Sequence, residues 1–504
     1  MGEAVAGASS ARNAPVTLPD DFVFGVATAG FQIEGGFNGP GEPANNWARW
    51  ESGGRIEPSG NACGFWERPE EALDRAASIG CEAFRLSVEW ARCEPEEGAV
   101  DTSALDGYGR ILDGCLERGM QPVVSLHHFT HPAWLGEEFW LDDDAPERFA
   151  AHVERVLPTL AGRCRRWVTI NEPNIVALMG WVEGAYPPGR TRSFGDAFRA
   201  LDNMLAAHVL ALRAIHRVQP DAEVTVNTSS SSIYEHDRLL TDLLTAPAAG
   251  VDRDGIDAWI DERRILHDER WPAHGVIESL LRRIFAAAAP YGTGTSHPAD
   301  RWLRSGLRRE IRRRVLDEVY ADPSARSLDA TGFDWYDPSA SRAVRMPGHV
   351  TSGGRRWEPS RAIWDVVPDP AAMTRWCADQ HDLLPGLPLW VVENGLCNRV
   401  RNGRSYPRPD GWDRPRYLAE HVSAVMDSIA AGVPVTAYLH WSLVDNYEWG
   451  SYEPRFGIFG VDRCRGPRGF RWLDTDAEGR DSAGAYRRLI AWARQGAEGP
   501  APTG

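Results

Sequence analysis

The sequence contains no lysine, so all 55 basic residues among its 504 are arginines. That absence removes every reaction that needs a side-chain amine, including Schiff-base chemistry, pyridoxal anchoring and phosphate capture by a P-loop lysine. Cysteine is sparse and scattered. Its eight copies (Cys63, Cys81, Cys93, Cys115, Cys164, Cys377, Cys397 and Cys464) form no C-x-x-C pair and no metal-ligand spacing, so they read as reduced thiols. Long hydrophobic runs are missing too: no stretch of about 18 apolar residues occurs. The opening MGEAVAGASSARNAPVTLPD has no apolar segment and carries Glu3 early. Neither a membrane span nor an export signal is expected, which leaves a cytoplasmic location as the expectation. Positive charge is also in deficit. Against 71 acidic residues the 55 arginines leave a net charge of −16, which argues against a broad nucleic-acid footprint.

What is present is ample material for a fold, with 43% of residues hydrophobic. Tryptophan occurs 21 times, and indole rings that do not pack a core commonly lie against the apolar face of a ligand such as a sugar. From Phe22 onward, short β-branched or aromatic runs alternate with longer segments of helical period. Eight runs read as strands: 22–30, 83–90, 121–129, 166–173, 222–230, 330–338, 387–395 and 433–445.

The intervening segments have helical faces. Leu105, Tyr108, Ile111, Leu112, Cys115 and Leu116 make one stripe, which Gly119 terminates; Phe198, Leu201, Leu205, Val209, Leu212 and Ile215 make another, and Leu418, Val422, Val425 and Ile429 a third. Regular alternation of this kind calls for parallel strands joined by crossover helices. Eight units fit a single closed (β/α)8 TIM barrel of α/β class better than an open sheet. The barrel is expected over 19–495, between a disordered leader (1–18) and a flexible tail (496–504).

One segment breaks the rhythm. About a hundred residues, 231–329, separate the fifth and sixth strands and read as an enlarged excursion between them. Within it, 301–320 places Leu303, Leu307, Ile311 and Val315 on one face and seven arginines elsewhere, which reads as a solvated surface helix with a packed stripe.

In such a barrel, chemistry collects at the carboxyl ends of the strands. Glu172 ends the fourth run in T-I-N-E-P and Glu393 ends the seventh in V-V-E-N-G. Strands four and seven face each other across the mouth, and paired carboxylates across a cleft are the minimum equipment for glycoside hydrolysis. His127, His128 and His131 cluster without forming a metal site, because successive strand residues such as 127 and 128 point to opposite faces. His208, on an apolar helical face, reads as a hydrogen-bonded core histidine.

From about Phe22 to Ile490 the sequence resembles the β-glycosidases of glycoside hydrolase family 1. The runs that carry the resemblance are F-V-F-G-V-A-T-A-G-F-Q-I-E-G, F-R-L-S-V-E-W-A-R, V-S-L-H-H-F-T-H-P, T-I-N-E-P, V-V-E-N-G and W-S-L-V-D-N-Y-E-W. The resemblance implies Glu393 as nucleophile, Glu172 as acid/base, Arg85 beside the nucleophile, Asn171 on the sugar 2-hydroxyl and Tyr336 donating to the nucleophile. It also implies a sugar pocket formed by Gln32, His128, Asp334, Trp441, Glu448, Trp449 and Phe456. No cofactor and no metal is implied, and the partner is a small-molecule or oligosaccharide β-glycoside.

A retaining mechanism would place the two carboxyls about 5 Å apart. Arg85 would hold Glu393 as the anion, and that anion would raise the pKa of Glu172. A carboxylate at Glu448 would repel a 6-phosphate, which favours unphosphorylated glycosides, glucosides first. Two positions depart from the family pattern: Asp334 stands where G-x-N-Y-Y has asparagine, and Phe129 where a tryptophan is usual. An ionised Asp334 near Glu172 would push the acid's pKa higher still. Transglycosylation to an alcohol acceptor and a catalytically silent sugar-binding role remain open alternatives, as does the oligomeric state.

Overall fold

The computed structural model describes residues 15–503 except 38, 40, 274, 293–297, 337–367, 402–403, 407, 409 and 464–469. Eight parallel strands close a barrel: β1 (Val23–Ala27), β2 (Ala83–Ser87), β3 (Gln121–Ser125), β4 (Arg166–Asn171), β5 (Glu223–Ser229), β6 (Thr331–Trp335), β7 (Leu389–Asn394) and β8 (Val435–Trp441). Each strand pairs with its sequence neighbour, and β8 closes onto β1 with Val23 opposite Ala437 and Ala27 opposite Trp441. The eight expected strands are therefore all present. Most end several residues earlier than their hydrophobic runs do, because those runs continue into the loops of the barrel mouth.

The strands are buried almost throughout, polar residues included, because both faces are covered. Inside lies a compact cluster that includes Val23, Ala83, Val123, Val168, Trp390 and Val392. Outside, helices bury their stripes against the barrel: α1 (Pro69–Ser78), α2 (Thr102–Glu117), α3 (Ala145–Leu160) and α4 (Phe194–Val218). Asp101 caps α2 by accepting from the N–H groups of Ser103 and Ala104. Gly119, at φ +74°, follows the end of α2 as anticipated, whereas Leu116 falls outside the buried stripe and is exposed. His208 on α4 is satisfied on both ring nitrogens, by Thr169 Oγ1 at 2.7 Å and the Ser327 carbonyl at 2.7 Å.

The excursion between β5 and β6 is helical: α5 (Arg238–Thr245), α6 (Ile256–Arg270), α7 (Val276–Ala288), α8 (Pro298–Leu307) and α9 (Arg314–Val319). The single surface helix expected over 301–320 is instead broken between Leu307 and Arg314. Arg313 takes a left-handed conformation (φ +57°), and the Arg313 guanidinium turns back to Asp257 on α6 at 3.0 Å. Val315 is buried in the helix after the break, so the apolar stripe is packed even though the helix is not continuous. After β6 the pattern resumes with α10 (Pro370–Leu383), α11 (Arg414–Ala430) and, beyond β8, α12 (Ser482–Arg494).

The assigned termini shift as well. Residues 1–14 of the expected leader lie outside the described residues, but Val16 is buried and donates its N–H to the Gly496 carbonyl at 2.8 Å. In the expected tail Ala497 is buried, because an apolar side chain on each segment completes the core beneath α12. Among the described residues, no helix is long and apolar enough to cross a membrane.

Candidate active site

The chain turns sharply where β4 ends. The Asn171 N–H donates to the His127 carbonyl at 2.8 Å and the Glu172 N–H to the Asn227 carbonyl at 3.1 Å, so both neighbouring strands fix this backbone. Glu172 sits at φ +41°, ψ +59°, a conformation that costs a non-glycine residue about 1–2 kcal/mol, and Pro173 starts a short helix directly after it. Glu393 lies on β7. Gly395, two residues on, must be glycine because a Cβ there would lie 2.0 Å from the Trp441 carbonyl oxygen; its smallness lets β7 leave the barrel against β8.

Arg85 on β2, fully buried, joins the two carboxyl-bearing strands. Its Nη1 donates to Glu393 Oε1, its Nη2 to Asn171 Oδ1, and its Nε to Ser125 Oγ at 2.9 Å. Tyr336, just past β6, donates to Glu393 Oε2 at 2.7 Å, so each oxygen of the carboxylate has its own donor.

Beside this centre lies an aromatic and amide-rich face. The His128 ring stacks with both Trp441 and Trp449, each at 5.8 Å, and Asn171 Nδ2 approaches His128 Nε2 at 3.3 Å. Trp441 Nε1 donates to Glu448 Oε1 at 3.2 Å, and Gln32 Nε2 donates to Glu448 Oε2 at 3.3 Å. Phe456 stands edge-on to Tyr336 at 5.9 Å. Gln32 Oε1 is buried and has no partner among the described residues, so it is an acceptor that a hydroxyl could satisfy. His127 points the other way, against Trp140 at 5.2 Å, and His131 meets the Gly136 carbonyl at 2.9 Å, so the three histidines do not converge on one point. Phe129 uses its carbonyl to accept from Trp47 Nε1 at 3.1 Å, while its ring packs on Trp449 at 4.7 Å.

The structure thus gathers Arg85, Asn171, Glu172, Asp334, Tyr336 and Glu393 into one buried network and sets Gln32, His128, Trp441, Glu448, Trp449 and Phe456 beside it. Asn227 and Ser229 on β5 were not anticipated. Asn227 Nδ2 bridges Asn171 Oδ1 at 2.9 Å to Asp334 Oδ2, and Ser229 hydrogen-bonds Glu172. Both sit at a strand's carboxyl end in V-T-V-N-T-S, the position that singled out the two glutamates.

Burial separates the two glutamates electrostatically. Desolvation, then the charge of Glu393, pushes Glu172 up to about 8. Glu393 is also lifted by burial, but Arg85 and the Tyr336 hydroxyl pull it back. Arg85 therefore counteracts the burial penalty on the Glu393 anion. Burial lifts Glu448 to about 8, so near neutral pH it does not carry the full charge assigned to it for repelling phosphate. His128 is held well below its usual range by burial and then by Arg85, which keeps the ring neutral.

Comparison with known proteins agrees with this geometry. The sequence profile of Glycosyl hydrolase family 1 matches residues 14–253 and 337–491, leaving out most of the helical excursion. The chain is similar to Beta-glucosidase of Agrobacterium sp. (30% identical; 88% of this chain, 91% of the relative) and to Beta-glucosidase A of Thermotoga maritima (27%; 88% and 93%). It is also similar to 6-phospho-beta-galactosidase 1 of Streptococcus pneumoniae (27%; 88% and 94%). In fold it resembles the solved family 1 β-glucosidase from Thermotoga maritima, with a TM-score of 0.68 at 23% identity over 96% of this chain and 99% of that one. The chain is a glycoside hydrolase and belongs to glycosyl hydrolase family 1.

Proposed function

We propose that this enzyme hydrolyses unphosphorylated β-glycosides, β-glucosides first, with retention of configuration. The observation that carries this reading is the asymmetry between the two carboxyls: Glu393 is gripped by Arg85 and Tyr336, whereas Glu172 is lifted to about 8 beside it. One group is equipped to be an anion near neutral pH and the other to hold a proton, the division of labour that double displacement requires.

In this reading Glu393 attacks the anomeric carbon as the bond to the aglycone breaks, and the Glu172 proton passes to the departing oxygen. Forming the glycosyl ester removes the charge on Glu393. The main neighbouring charge that raised Glu172 is then gone, its pKa falls, and it becomes the base that takes a proton from the incoming water. Asn171, held by Arg85 and Asn227, is oriented to bond the 2-hydroxyl, a contact that strengthens as the ring flattens. Gln32, His128 and Glu448 supply further polar contacts to the sugar, and Trp441, Trp449 and Phe456 apolar surface.

The preference against phosphate rests on the surroundings of Glu448, whose side chain touches Gln32 and Trp441, both neutral. A dianionic phosphate placed there would lose its hydration against a carboxyl whose bonded neighbours among the described residues are neutral. The test is to follow the anomeric configuration of the sugar first released from an aryl β-glucoside by proton NMR. Retention gives the β-anomer. Release of the α-anomer, or no turnover of any aryl β-glycoside, overturns the reading, and added alcohol in the same assay separates hydrolysis from transfer.

A further inference from the structure

The departure at position 334 places a third carboxyl in the centre. Asp334 is fully buried on β6, in register with Glu393 on β7 and with Ser229 on β5. Its Oδ2 accepts from Asn227 Nδ2, while no described N–H or O–H group donates to its buried Oδ1. The Asp334 and Glu172 carboxyls are themselves within hydrogen-bond contact. Two carboxylates are pure acceptors and cannot bond each other; contact between them requires that one keep a proton.

We propose that Asp334 is a permanently protonated carboxylic acid that acts as a positioning residue, donating a hydrogen bond to Glu172 whenever Glu172 is the anion. The charged and titratable groups facing it all bear on this assignment. Glu393 on β7 and Glu172 beyond β4 both oppose a charge on Asp334, the neutral Tyr336 hydroxyl just past β6 faces it too, and among the described residues Arg85 on β2 favours one. Arg85 spends its Nη donors on Glu393 and Asn171, not on Asp334. Glu172 is the better-solvated anion of the pair, 7% exposed against 0% and bonded by Ser229 as well. Burial holds Asp334 well above the usual carboxylate range.

Proton balance through a turnover is then simple, on the reading proposed above. The Glu172 proton leaves with the aglycone oxygen, the Asp334 proton stays on Asp334 and hydrogen-bonds the new Glu172 carboxylate, and water returns a proton to Glu172. Asp334 lends a bond and transfers nothing. The expectation that an ionised Asp334 would raise the acid's pKa is thereby reversed in sign: a protonated Asp334 lowers it.

Two measurements test this. The first needs no activity: an infrared difference spectrum of wild type minus Asp334→Asn near neutral pH. The proposal expects loss of a protonated-carboxyl C=O band; loss of carboxylate bands instead overturns it. The second is the alkaline limb of kcat/KM on an aryl β-glucoside. An asparagine can accept from Asn227 with its oxygen and donate to Glu172 with its nitrogen, so the limb of Asp334→Asn stays within about half a pH unit of wild type. Asp334→Leu, with no donor, moves it upward by about one unit. Were Asp334 ionised, both variants would move the limb downward, and the Asn variant alone decides the matter if the Leu variant does not fold. A wild-type enzyme without glycosidase activity would refute the functional reading and leave the infrared result to decide the protonation of Asp334.

Discussion

Tyr336 donates its hydroxyl to Glu393 Oε2 at 2.7 Å, while Arg85 occupies Oε1 of the same carboxylate. Neither donor alone offsets the burial of that group. Removing the phenol by Tyr336→Phe therefore raises the Glu393 pKa, and the acidic limb of kcat/KM, which requires ionised Glu393, moves to higher pH by about one unit. The plateau falls by about tenfold. An unmoved limb in a pH–rate profile would show that the bond does not tune Glu393.

Arg85 makes a larger demand on the fold. Arg85→Leu leaves Glu393 buried without its cation and removes one of the two donors to Asn171 Oδ1, a loss of about 3–5 kcal/mol. Adding Glu393→Gln removes the uncompensated charge, so the double variant melts at a higher temperature than Arg85→Leu alone. Thermal unfolding of the wild type, both single variants and the double variant measures this directly.

Glu172 makes stability depend on pH in a stated direction. Its folded pKa of about 8 exceeds the ordinary value of 4.5, so the folded state keeps a proton that the unfolded chain has already released. The contribution is fully favourable below about 4.5 and is lost as pH rises toward 8. Glu172→Gln, which never ionises, is expected to unfold a few degrees above wild type near pH 8, with the gap closing toward pH 4.5. A gap that is constant with pH would contradict the assignment.

Glu448 governs the choice of sugar. In Glu448→Gln the carboxyl that accepts from Trp441 and Gln32 becomes an amide, and kcat/KM on an aryl β-glucoside falls by about 10–100-fold. On the corresponding 6-phosphate the change is smaller, so the ratio of the two specificities narrows. A ratio that does not narrow would place the discrimination elsewhere.

Much of this architecture was legible in the sequence because barrel physics writes itself in two periods. Strands buried on both faces appear as short β-branched or aromatic runs, and covering helices show one stripe. The strand ends were less legible, since the run from 433 to 445 still carries Leu443 and Val444 after β8 stops at Trp441. The break at Arg313 could not be read from the stripe, because Val315 stays in phase while the backbone turns to satisfy Asp257. At the centre, Glu172 and Glu393 were visible from type and position, and Arg85 through the resemblance to the family. Asn227 was not, because an amide at a strand end has many uses, and only the placement of Asn171 and Asp334 on either side defines its role. The protonation of Asp334 was the least legible of all: it depends on which donors reach each oxygen.

Covalent trapping tests the assignment of the two carboxyls most directly. A 2-deoxy-2-fluoro-β-glucoside with an activated leaving group slows the flattening of the ring and lets a glycosyl ester accumulate if one forms. Peptide mapping of the inactivated enzyme by mass spectrometry should find the sugar on Glu393, with Glu172 unmodified. A label on Glu172, on any other residue, or no label despite time-dependent turnover would contradict double displacement through Glu393.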